Sequence, residues 1–328
     1  MKKRNYSVIA KVLVVSSLMC GVLSSCSEVY DDSELLKKLE ELGNKLDQHE
    51  KSDVAPEDSI IHFDEVAVKA ICVSHWDTNH DGELSYGEAA KVDTIGSEFC
   101  ESSIYMFKEL KYFSNLLYIG GGFWYCDQLK IISIPSSVVS IGDDAFRFGN
   151  NWRGGEFAVH IDDIEAWCNI YFESYYSNPL SYDYYYRRKS NLYVNGELLT
   201  DLIIPNSITG VKDYAFGGCQ SLTSVLIPEG ISYIGERAFD GCSNLDSITI
   251  PKSVTMIGNY AFRACEKLNA ITVLNTTPPL LERDKNRNFS IFSYNCRESA
   301  ILYVPKGCVE VYRNADGWGN FVNIVELE

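Results

Sequence analysis

The side chains with the clearest chemistry are oxygen donors spaced over twelve residues, from Asp77 to Glu88. A carboxylate or amide oxygen stands at the first, third and fifth positions, a backbone carbonyl is offered at the seventh, a hydroxyl at the ninth and a carboxylate at the twelfth. These residues are, in order, Asp77, Asn79, Asp81, Glu83, Ser85 and Glu88. A Ca²⁺ ion takes about six to eight oxygen ligands, and a glycine at the sixth position, here Gly82, permits the sharp turn that wraps a short loop around the ion. The sequence therefore predicts a calcium site.

The same spacing resembles the calcium loop of EF-hand proteins, in which two helices flank the loop. Leu84, at the eighth position, matches the apolar anchor of that loop. The apolar residues expected on the inner faces of the flanking helices are Val66, Ala70, Ile71, Ala89 and Val92. EF-hands usually work in pairs, and the sequence contains no second loop of this kind. We therefore expect a structural ion, bound with a dissociation constant of ~10⁻⁴ to 10⁻³ M. The ion would clamp residues 60–97 onto the adjacent fold. That fold would take the place of the missing second loop.

The other reactive side chains form no catalytic pattern. The five histidines show no H-E-x-x-H spacing, and the sequence contains no G-x-S-x-G, phosphate-binding loop or G-x-G-x-x-G run. Cys72 and His75 could hold a transition metal from one helix, but no companion pair accompanies them, which favours ordinary helix residues. We therefore expect a protein that is not an enzyme.

A unit of 23 residues recurs in the second half of the chain, where Pro205, Pro228 and Pro251 each end an apolar run. The other positions that keep this period are Ala215-Phe216, Ala238-Phe239 and Ala261-Phe262; Cys219, Cys242 and Cys265; and Leu222, Leu245 and Leu268. A unit this short cannot bury its own apolar face, so successive copies must stack and bury one another. The period therefore predicts a solenoid in which each coil contains a strand, a turn and a short helical turn.

Two earlier copies of the unit run from Phe123 to Phe146. The shared pattern, C-x-x-L-x-x-I-x-I-P followed by V/I-x-x-I-G-x-x-A-F, resembles the BspA-like leucine-rich repeats of bacterial surface proteins over roughly residues 107–304. The resemblance implies an α/β leucine-rich repeat solenoid, with a short parallel strand ladder and helical turns, preceded by the small helix-loop-helix unit. We assign residues 98–304 to the repeats. About six coils at ~4.8 Å spacing would span about 30 Å.

The repeat period also constrains the cysteines. Cys219, Cys242 and Cys265 would stack with their side chains pointing the same way, which favours small buried thiols over disulfides, and Cys126 shares that position. The cysteines outside the period are Cys72, Cys100, Cys168, Cys296 and Cys308. A disulfide among these five stays open in an oxidising compartment, and the sequence does not fix a pairing.

Residues 151–195 separate two copies of the unit from three and are rich in tyrosine. We interpret them as an atypical, enlarged repeat. Tyrosine offers broad contact area at low entropic cost, which favours a binding surface here, although packing within the enlarged repeat would use the same rings. On the ladder, the outward positions Ser133, Leu226, Thr249 and Thr272 form a small row, for which β propensity on a solvated face is the simpler explanation. The candidate partner-binding residues are Tyr175, Tyr176, Tyr184, Tyr185, Tyr186, Thr249 and Thr272.

The first 25 residues read as a bacterial lipoprotein signal, with a basic start, an apolar run and Leu23-Ser-Ser-Cys26 at its end. The run is interrupted by Lys11, so a retained transmembrane helix is the weaker interpretation. Cleavage would leave Cys26 to carry the acyl chains, and stable anchoring requires more than one chain. Asp31-Asp32 resembles the acidic tether of lipoproteins displayed outside the outer membrane. We expect an outer-membrane lipoprotein exposed at the cell surface.

Residues 26–59 form the expected tether with a short amphipathic helix. Leu35, Leu39, Leu42 and Leu46 follow coiled-coil spacing, which predicts weak self-association through residues 34–48 or, alternatively, a plain solvated spacer helix. The net charge is −16, and loss of the four basic residues in the signal makes it −20. This acidity argues against nucleic acid and anionic lipid as partners.

The last segment, residues 305–328, contains Tyr312, Trp318 and Phe321, which we expect to cap the open end of the solenoid. The resemblance implies a surface recognition protein, since relatives of this kind include adhesins that contact host matrix proteins and other cells. The expected partner is thus an extracellular protein or glycan. The alternatives are glycan capture, for which Trp152 or the tyrosines would stack on sugar rings, and a dockerin-like assembly module, although dockerins carry two calcium loops.

Overall fold

A computed structural model describes residues 56–149, 155–181, 189–284, 286 and 289–328. The chain divides into two compact units, Met1–Ala55 and Pro56–Glu328, and all of the described residues belong to the second. Cys26, the segment 34–48 and the tyrosines at 184, 185 and 186 lie outside the described residues, so the expectations about them stay predictions.

The second unit is built from many short strands and a few short helices. The helices are α1 (Val66–Trp76), α2 (Tyr86–Ala89), α3 (Ile164–Cys168), α4 (Tyr294–Ser299) and α5 (Val309–Arg313), with 3-10 turns at Glu109–Tyr112, Tyr175–Ser177 and Trp318–Asn320. The strands are β1 (Thr94–Ile95), β2 (Met106–Phe107), β3 (Tyr118–Ile119), β4 (Ile131–Ser133), β5 (Ser140–Ile141), β6 (Glu156–Ile161), β7 (Tyr171–Phe172), β8 (Lys189–Val194), β9 (Glu197–Leu198), β10 (Asp201–Ile203), β11 (Ser224–Leu226), β12 (Tyr233–Ile234), β13 (Ser247–Ile250), β14 (Met256–Ile257), β15 (Ala270–Val273), β16 (Leu280–Leu281), β17 (Ile301–Val304) and β18 (Asn323–Glu326).

The strands form parallel ladders along two sides of the stack. The main ladder consists of the sheets β2-β4-β6-β8-β9, β10-β11 and β13-β15-β17-β18, and the second ladder consists of β1-β3-β5-β7 and β12-β14-β16. Within these sheets every pairing is parallel except the hairpin of β8 with β9. The expected mixed α/β repeat fold with parallel strand ladders is therefore confirmed.

A coil with the complete signature buries alternate residues of its strand and ends the strand at or just before a proline. In β13, Ile248 and Ile250 point inward while Ser247 and Thr249 are exposed, as the alternation of side chains along a strand requires. Pro251 follows directly and cannot donate a ladder hydrogen bond, which stops the pairing at the same point in each repeat.

Phenylalanine rings stack from coil to coil through the interior. Consecutive rings of Phe216, Phe239, Phe262 and Phe292 lie 5.5–5.7 Å apart and within 8° of parallel. A second stack contains Phe99, Phe123 and Phe146, with centroid distances of 5.3 and 5.2 Å. Such aromatic pairs contribute roughly 0.5–1.5 kcal/mol each beyond their burial. The Ala-Phe signature of the repeat is thus the source of a continuous aromatic core.

The segment at 151–195 differs from the expected single enlarged repeat, because its described part supplies two successive rungs of the main ladder. Ile132 of β4 pairs with Val159 of β6, and Val159 pairs in turn with Leu192 of β8. Trp167 on α3 is buried and donates from its indole nitrogen to the carbonyl oxygen of Ala215 at 2.9 Å. This coil lacks the Ile-Pro and Ala-Phe signatures, so the sequence period could not reveal it.

Helix α1 turns a different face inward from the one expected. Val68 and Cys72 are buried, whereas Val66 is 84% exposed and Ala70 is exposed. The expectation for Val66 and Ala70 is wrong because apolar residues occur on most sides of this helix, so their spacing does not define one face. The burial expected of Ala89 and Val92 is confirmed.

Aromatic residues cover the C-terminal end of the stack. Trp318 and Phe321 pack against Phe292, the last ring of the longer phenylalanine stack, at centroid distances of 5.9 and 5.2 Å. Tyr312 meets Trp318 edge to face, and β18 adds a last strand beside β17.

In the part of the chain that the structure describes, no helix has the length and apolarity to cross a bilayer.

Candidate functional site

The acidic loop lies between α1 and α2 with its donors held by local hydrogen bonds. The carboxylate of Asp77 accepts from the backbone N–H groups of His80 and Gly82 at 2.6 and 2.9 Å. The side chains of Asn79 and Asp81 accept in the same way from the N–H two residues further on, at 2.9 and 2.8 Å. These contacts give the loop a tight turn, and Gly82 occupies a positive φ of 84° with open space around its α-carbon. The first half of the loop is therefore preorganised by its own backbone.

Glu88, on the first turn of α2, ties the two ends of the loop together. One carboxylate oxygen accepts from the N–H groups of Thr78 and Asn79 at 2.8 and 3.2 Å, and the other accepts from the N–H and hydroxyl of Ser85, both at 2.9 Å. The hydrogen bond from the Ser85 backbone is the largest influence on the pKa of Glu88 and lowers it. Burial opposes this shift, but the hydrogen bonds from Thr78 and the Ser85 hydroxyl add to it, and the pKa falls to about 2. This carboxylate is consequently ionised at neutral pH.

The loop finds its pairing partner in the segment just before α1. Leu84, fully buried, accepts a hydrogen bond at its carbonyl from the N–H of Ile61 at 2.8 Å, and Ile60 forms an antiparallel bridge with Ser85. The N–H of Tyr86 donates to the carbonyl of Ser59 at 2.9 Å. The expectation that the repeats replace the second loop is therefore wrong for the backbone pairing, because residues 59–61 are closer along the chain and already extended.

The first coil of the repeats contacts the helix-loop-helix unit through ring packing, since Trp76 meets Phe99 and Phe113 at centroid distances of 6.1 and 5.3 Å, and through carboxylates. Glu65 accepts from the backbone N–H groups of Tyr105 and Met106 at distances of 2.8–3.0 Å. Asp64 pairs with Lys108 at 2.9 Å, which lowers the pKa of the Asp64 carboxyl. Since β2 begins at Met106 and is the first strand of its sheet, Glu65 satisfies donors that the open sheet edge would leave to solvent.

The donor set of the loop fits a hard cation in residue type and order. Asp77, Asn79, Asp81 and Glu88 offer side-chain oxygens, and Glu83 turns its carboxylate toward Lys69, at 2.6 Å, which leaves its backbone carbonyl for the loop. Among the described residues, no three His, Cys, Asp or Glu side chains are gathered closely enough to hold a metal, and the Glu88 carboxylate accepts from backbone N–H groups. Calcium binding by this loop stays a prediction.

On the main ladder, the outward residues predicted for partner contact line up in the repeats after β11. Thr249 pairs with Thr272, and Thr272 pairs with Tyr303 of β17. Thr249 is exposed and Thr272 is partly exposed. Ser133, expected in the same row, lies on a different sheet and is 7% exposed, so it does not belong to that row.

Two of the predicted tyrosines stack on arginines of the repeats. The guanidinium of Arg237 lies between the rings of Tyr175 and Tyr260, 4.9 and 4.4 Å from their centroids. Arg147 lies 5.4 Å from the centroid of Tyr176, whose side chain is 38% exposed. These rings thus help to hold neighbouring coils together, and a role in partner contact stays a prediction.

Asp240 is a buried charge that the sequence analysis did not single out. Its carboxylate receives two hydrogen bonds from Arg263, at 3.0 and 2.7 Å, and one from Arg237 at 2.9 Å. Burial raises the pKa of the Asp240 carboxyl, and the two guanidinium groups oppose that shift. The sequence does mark Asp240 as unusual, since an aspartate follows the Ala-Phe pair only in this unit. Its pairing with an arginine of the next coil becomes visible only in the fold.

A cavity of about 420 Å³, here named the basic cavity, opens on the main ladder near the carboxyl ends of β4 and β6. Its lining includes Lys108, Lys111, Ser133, His160, Asp162 and Asn195. The ring of His160 stacks on Tyr193 with centroids 4.7 Å apart and planes within 15°. Burial, with Lys108 next in importance, lowers the pKa of His160. The spacing of histidines along the sequence could not identify this site, because its residues come from four strands and their loops.

The repeat cysteines are buried, as expected, and their thiols reach the coil before. Cys126, Cys242 and Cys265 each donate to the carbonyl oxygen of the phenylalanine one coil earlier, at 2.9, 3.3 and 3.2 Å. Each thiol therefore satisfies a backbone acceptor. The nine cysteines in the described residues are all free thiols.

The repeats match the family described as BspA type leucine rich repeat region, in six copies over residues 89–173 and 189–308. No match was found among curated proteins. Among solved structures, a leucine-rich repeat protein from Eubacterium ventriosum ATCC 27560 is 16% identical, with 71% of this chain and 70% of that chain covered and a TM-score of 0.35. A leucine rich cell surface protein from Faecalibacterium prausnitzii A2-165 is 20% identical, with 64% and 61% covered and a TM-score of 0.32. A leucine-rich repeat protein from Bacteroides ovatus ATCC 8483 is 19% identical, with 71% and 60% covered and a TM-score of 0.34.

Proposed function

This chain belongs to the BspA type leucine-rich repeat family, and we propose that it is a lipid-anchored surface protein whose main ladder recognises a macromolecule outside the cell. The observation that carries the proposal is the alternation of inward and outward side chains along the strands of the repeats. In β13 and β15 the inward residues fill the core, while Thr249 and Thr272 stand outward in register. Outward residues of this kind can change without disturbing the stack, which is how one repeat fold serves many ligands.

The proposed anchor is Cys26, acylated after removal of residues 1–25. Two or more acyl chains hold a protein stably on a bilayer, whereas one chain does so only marginally. Metabolic labelling with a palmitate analogue tests the anchor, because a Cys26→Ala variant should lose both the label and the membrane fraction. Labelling that survives this substitution would contradict the assignment.

The proposed role of calcium is structural. Asp77, Asn79, Asp81, Ser85 and Glu88 would hold the ion with side-chain oxygens and Glu83 with its carbonyl. Bound there, Ca²⁺ would supply a fixed positive charge that gathers the loop carboxylates. The unit that it would stiffen contacts the first coil through Asp64 and Glu65, so calcium would secure the N-terminal end of the ladder.

The test of the recognition function uses residues 27–328, the mature chain without its acylated Cys26, against purified host matrix proteins and a glycan array, with and without calcium. The account expects saturable binding to a member of one panel. Failure to bind any member of either panel would contradict it.

Glycan capture is the second candidate, and the basic cavity is the observation that favours it. The cavity combines an aromatic pair, His160 and Tyr193, with cationic and hydrogen-bonding side chains. Those are the components that ligand sites use to orient a polar small molecule.

A further inference from the structure

We propose that the basic cavity binds a carboxylated sugar, such as a uronic or sialic acid residue at the end of a glycan. This inference rests on the proposed recognition function, for which it names a ligand class and a place on the main ladder. It is carried by three features of the cavity: a row of side chains with a gap in it, a flat aromatic wall, and the exposed ammonium group of Lys111.

The gap arises from the register of four strands. Phe107 pairs with Ile132, and the residues that follow them, Lys108 and Ser133, both line the cavity. Ser133 pairs with His160, and His160 pairs with Tyr193. With strands ~4.8 Å apart, the row from lysine to tyrosine is about 14 Å long.

Ser133 is the only short side chain in this row, so space opens above it between Lys108 and His160. The resulting cavity, about 420 Å³, falls within the range of roughly 300–1,000 Å³ that is typical of small-molecule sites. Ser133 itself is 7% exposed and places a hydroxyl at the floor. The cavity is therefore large enough for one or two sugar rings.

The wall of the cavity is a flat ring. Tyr193 covers one face of His160, with the two planes within 15°, and the register puts Ser133 on the opposite side. The second face of the imidazole thus borders the cavity. Burial lowers the pKa of His160, so this ring is uncharged at neutral pH and suits contact with the apolar face of a sugar ring.

The positive and negative charges at the cavity balance, and Lys111 is the ammonium group placed to bind an anion. Lys108 and Lys111 bring two ammonium groups to it, against the carboxylate of Asp162 and the Asp64 carboxylate that already pairs with Lys108 at 2.9 Å. Lys111 is exposed, and its ammonium lies 5.1 Å from the ring centroid of Tyr112. The chain as a whole carries a net charge of −16, which makes a site with two lysines a local exception.

The hydrogen-bonding groups favour a sugar over an acidic peptide. Asp162 accepts hydrogen bonds, and Asn195 both donates and accepts. A carboxylated sugar presents one anionic group for the lysines and several hydroxyls for these two side chains. A glutamate-rich peptide has no hydroxyls to offer these side chains, and would bring a second negative charge toward Asp162.

The test is calorimetric titration of residues 27–328, the mature chain without its acylated Cys26, with glucuronate, N-acetylneuraminate, glucose and a tetrapeptide of glutamate. We expect one or both carboxylated sugars to bind, and glucose and the peptide to bind at least about tenfold more weakly. Lys111→Glu should weaken sugar binding by about tenfold or more, since a charge-assisted contact is lost and a repulsion added. His160→Ala should weaken it as well by removing the wall.

The matched control is Lys267→Glu, which makes the same charge change at an exposed lysine outside the cavity and should leave binding unchanged. Thermal melting of each variant verifies its fold, and Lys111→Glu is expected to melt with the parent because the residue is exposed. Sugar binding that survives both cavity substitutions would overturn the proposal, as would equal affinity for the tetrapeptide or no binding of either acid. Because the probes here are free sugars, a negative result would contradict the sugar site alone. The recognition function is tested separately with the matrix-protein panel.

Discussion

At the residue scale, the buried charge of Asp240 joins two coils. Arg237 lies three residues before it and Arg263 one repeat later, and the carboxylate between them has no exposed surface. Two charges taken out of water attract each other strongly only while the geometry and the partners are intact. Loss of the shared carboxylate would leave two guanidinium groups facing each other.

We predict that Asp240→Asn lowers the free energy of unfolding by about 3 kcal/mol, since it breaks a buried pair and leaves the remaining charge uncompensated. Urea unfolding measures the effect. The matched control is Glu310→Gln, which removes an exposed partner of Arg313 and should cost no more than about 0.5 kcal/mol. Equal effects of the two substitutions would contradict the role assigned to Asp240.

The acidic loop gives the second prediction at this scale. With a dissociation constant of ~10⁻³ to 10⁻⁴ M, about 10 mM calcium should stabilise the fold by roughly 1.5–3 kcal/mol. For a fold of this size that raises Tm by several degrees, on the order of 2–4 °C per kcal/mol. Asp77→Ala should abolish the rise, while Asp58→Asn, at an exposed position outside the loop, should keep it. A calcium-dependent rise that persists in Asp77→Ala would rule out this loop as its origin.

The buried thiols predict how stability changes with pH. Burial raises the pKa of Cys126 to about 11, of Cys168 to about 12 and of Cys296 to about 11, from the ordinary value of 9.0. Below pH 9 both the folded and unfolded chains keep these thiols protonated, so their contribution is intact. Above it only the unfolded chain ionises, and stability falls as the pH rises toward 11, by about 1.4 kcal/mol per pKa unit for each thiol.

Urea unfolding at a series of pH values measures this loss. The control is a Cys168→Ala variant, whose stability should fall less steeply between pH 9 and 11 than that of the parent chain. Equal slopes for the two proteins would show that this thiol does not take part.

At the element scale, the coil could be predicted from the sequence wherever its signature is complete. The Ile-x-Ile-Pro runs become β4 and β13, and the Ala-Phe pairs become the aromatic stack. The inward face of α1 could not be predicted, since Val66 and Val68 are equally apolar and only the position of the first coil decides between them. The partner of Leu84 was also missed, because its hydrogen bond from Ile61 depends on the path of the chain around α1.

The glycine after the second strand of each repeat has a packing role that can be tested. A β-carbon at Gly258 would collide with backbone atoms of Glu236 one coil earlier, and neither backbone can withdraw without breaking the ladder. We predict that Gly258→Ala destabilises the stack by about 2 kcal/mol, as overpacking typically does. Gly121→Ala is the control, since nothing lies within 4 Å of the added carbon. Thermal and urea unfolding compare the two, and similar losses would contradict the packing role.

At the scale of the whole molecule, the described unit is a stack with two parallel ladders and capped ends. The helix-loop-helix unit meets the first coil through Glu65, and Trp318 and Phe321 cover the last ring of the core. The period predicted this stack, because repetition in sequence dictates repetition in contacts. It could not predict the basic cavity, whose residues lie up to about 90 positions apart and meet only through the register of parallel strands.

The central claim is that recognition belongs to the outward face of the main ladder, and one comparison tests it directly. Thr249→Arg places a long charged side chain on that face, and Met256→Arg places the same side chain on the outward side of the second ladder. Both positions are exposed, so both variants should melt with the parent chain. In a binding assay against the matrix protein captured by the parent, the account predicts that Thr249→Arg loses at least about tenfold in affinity and that Met256→Arg retains it. Retained binding by Thr249→Arg together with loss in Met256→Arg would contradict the account.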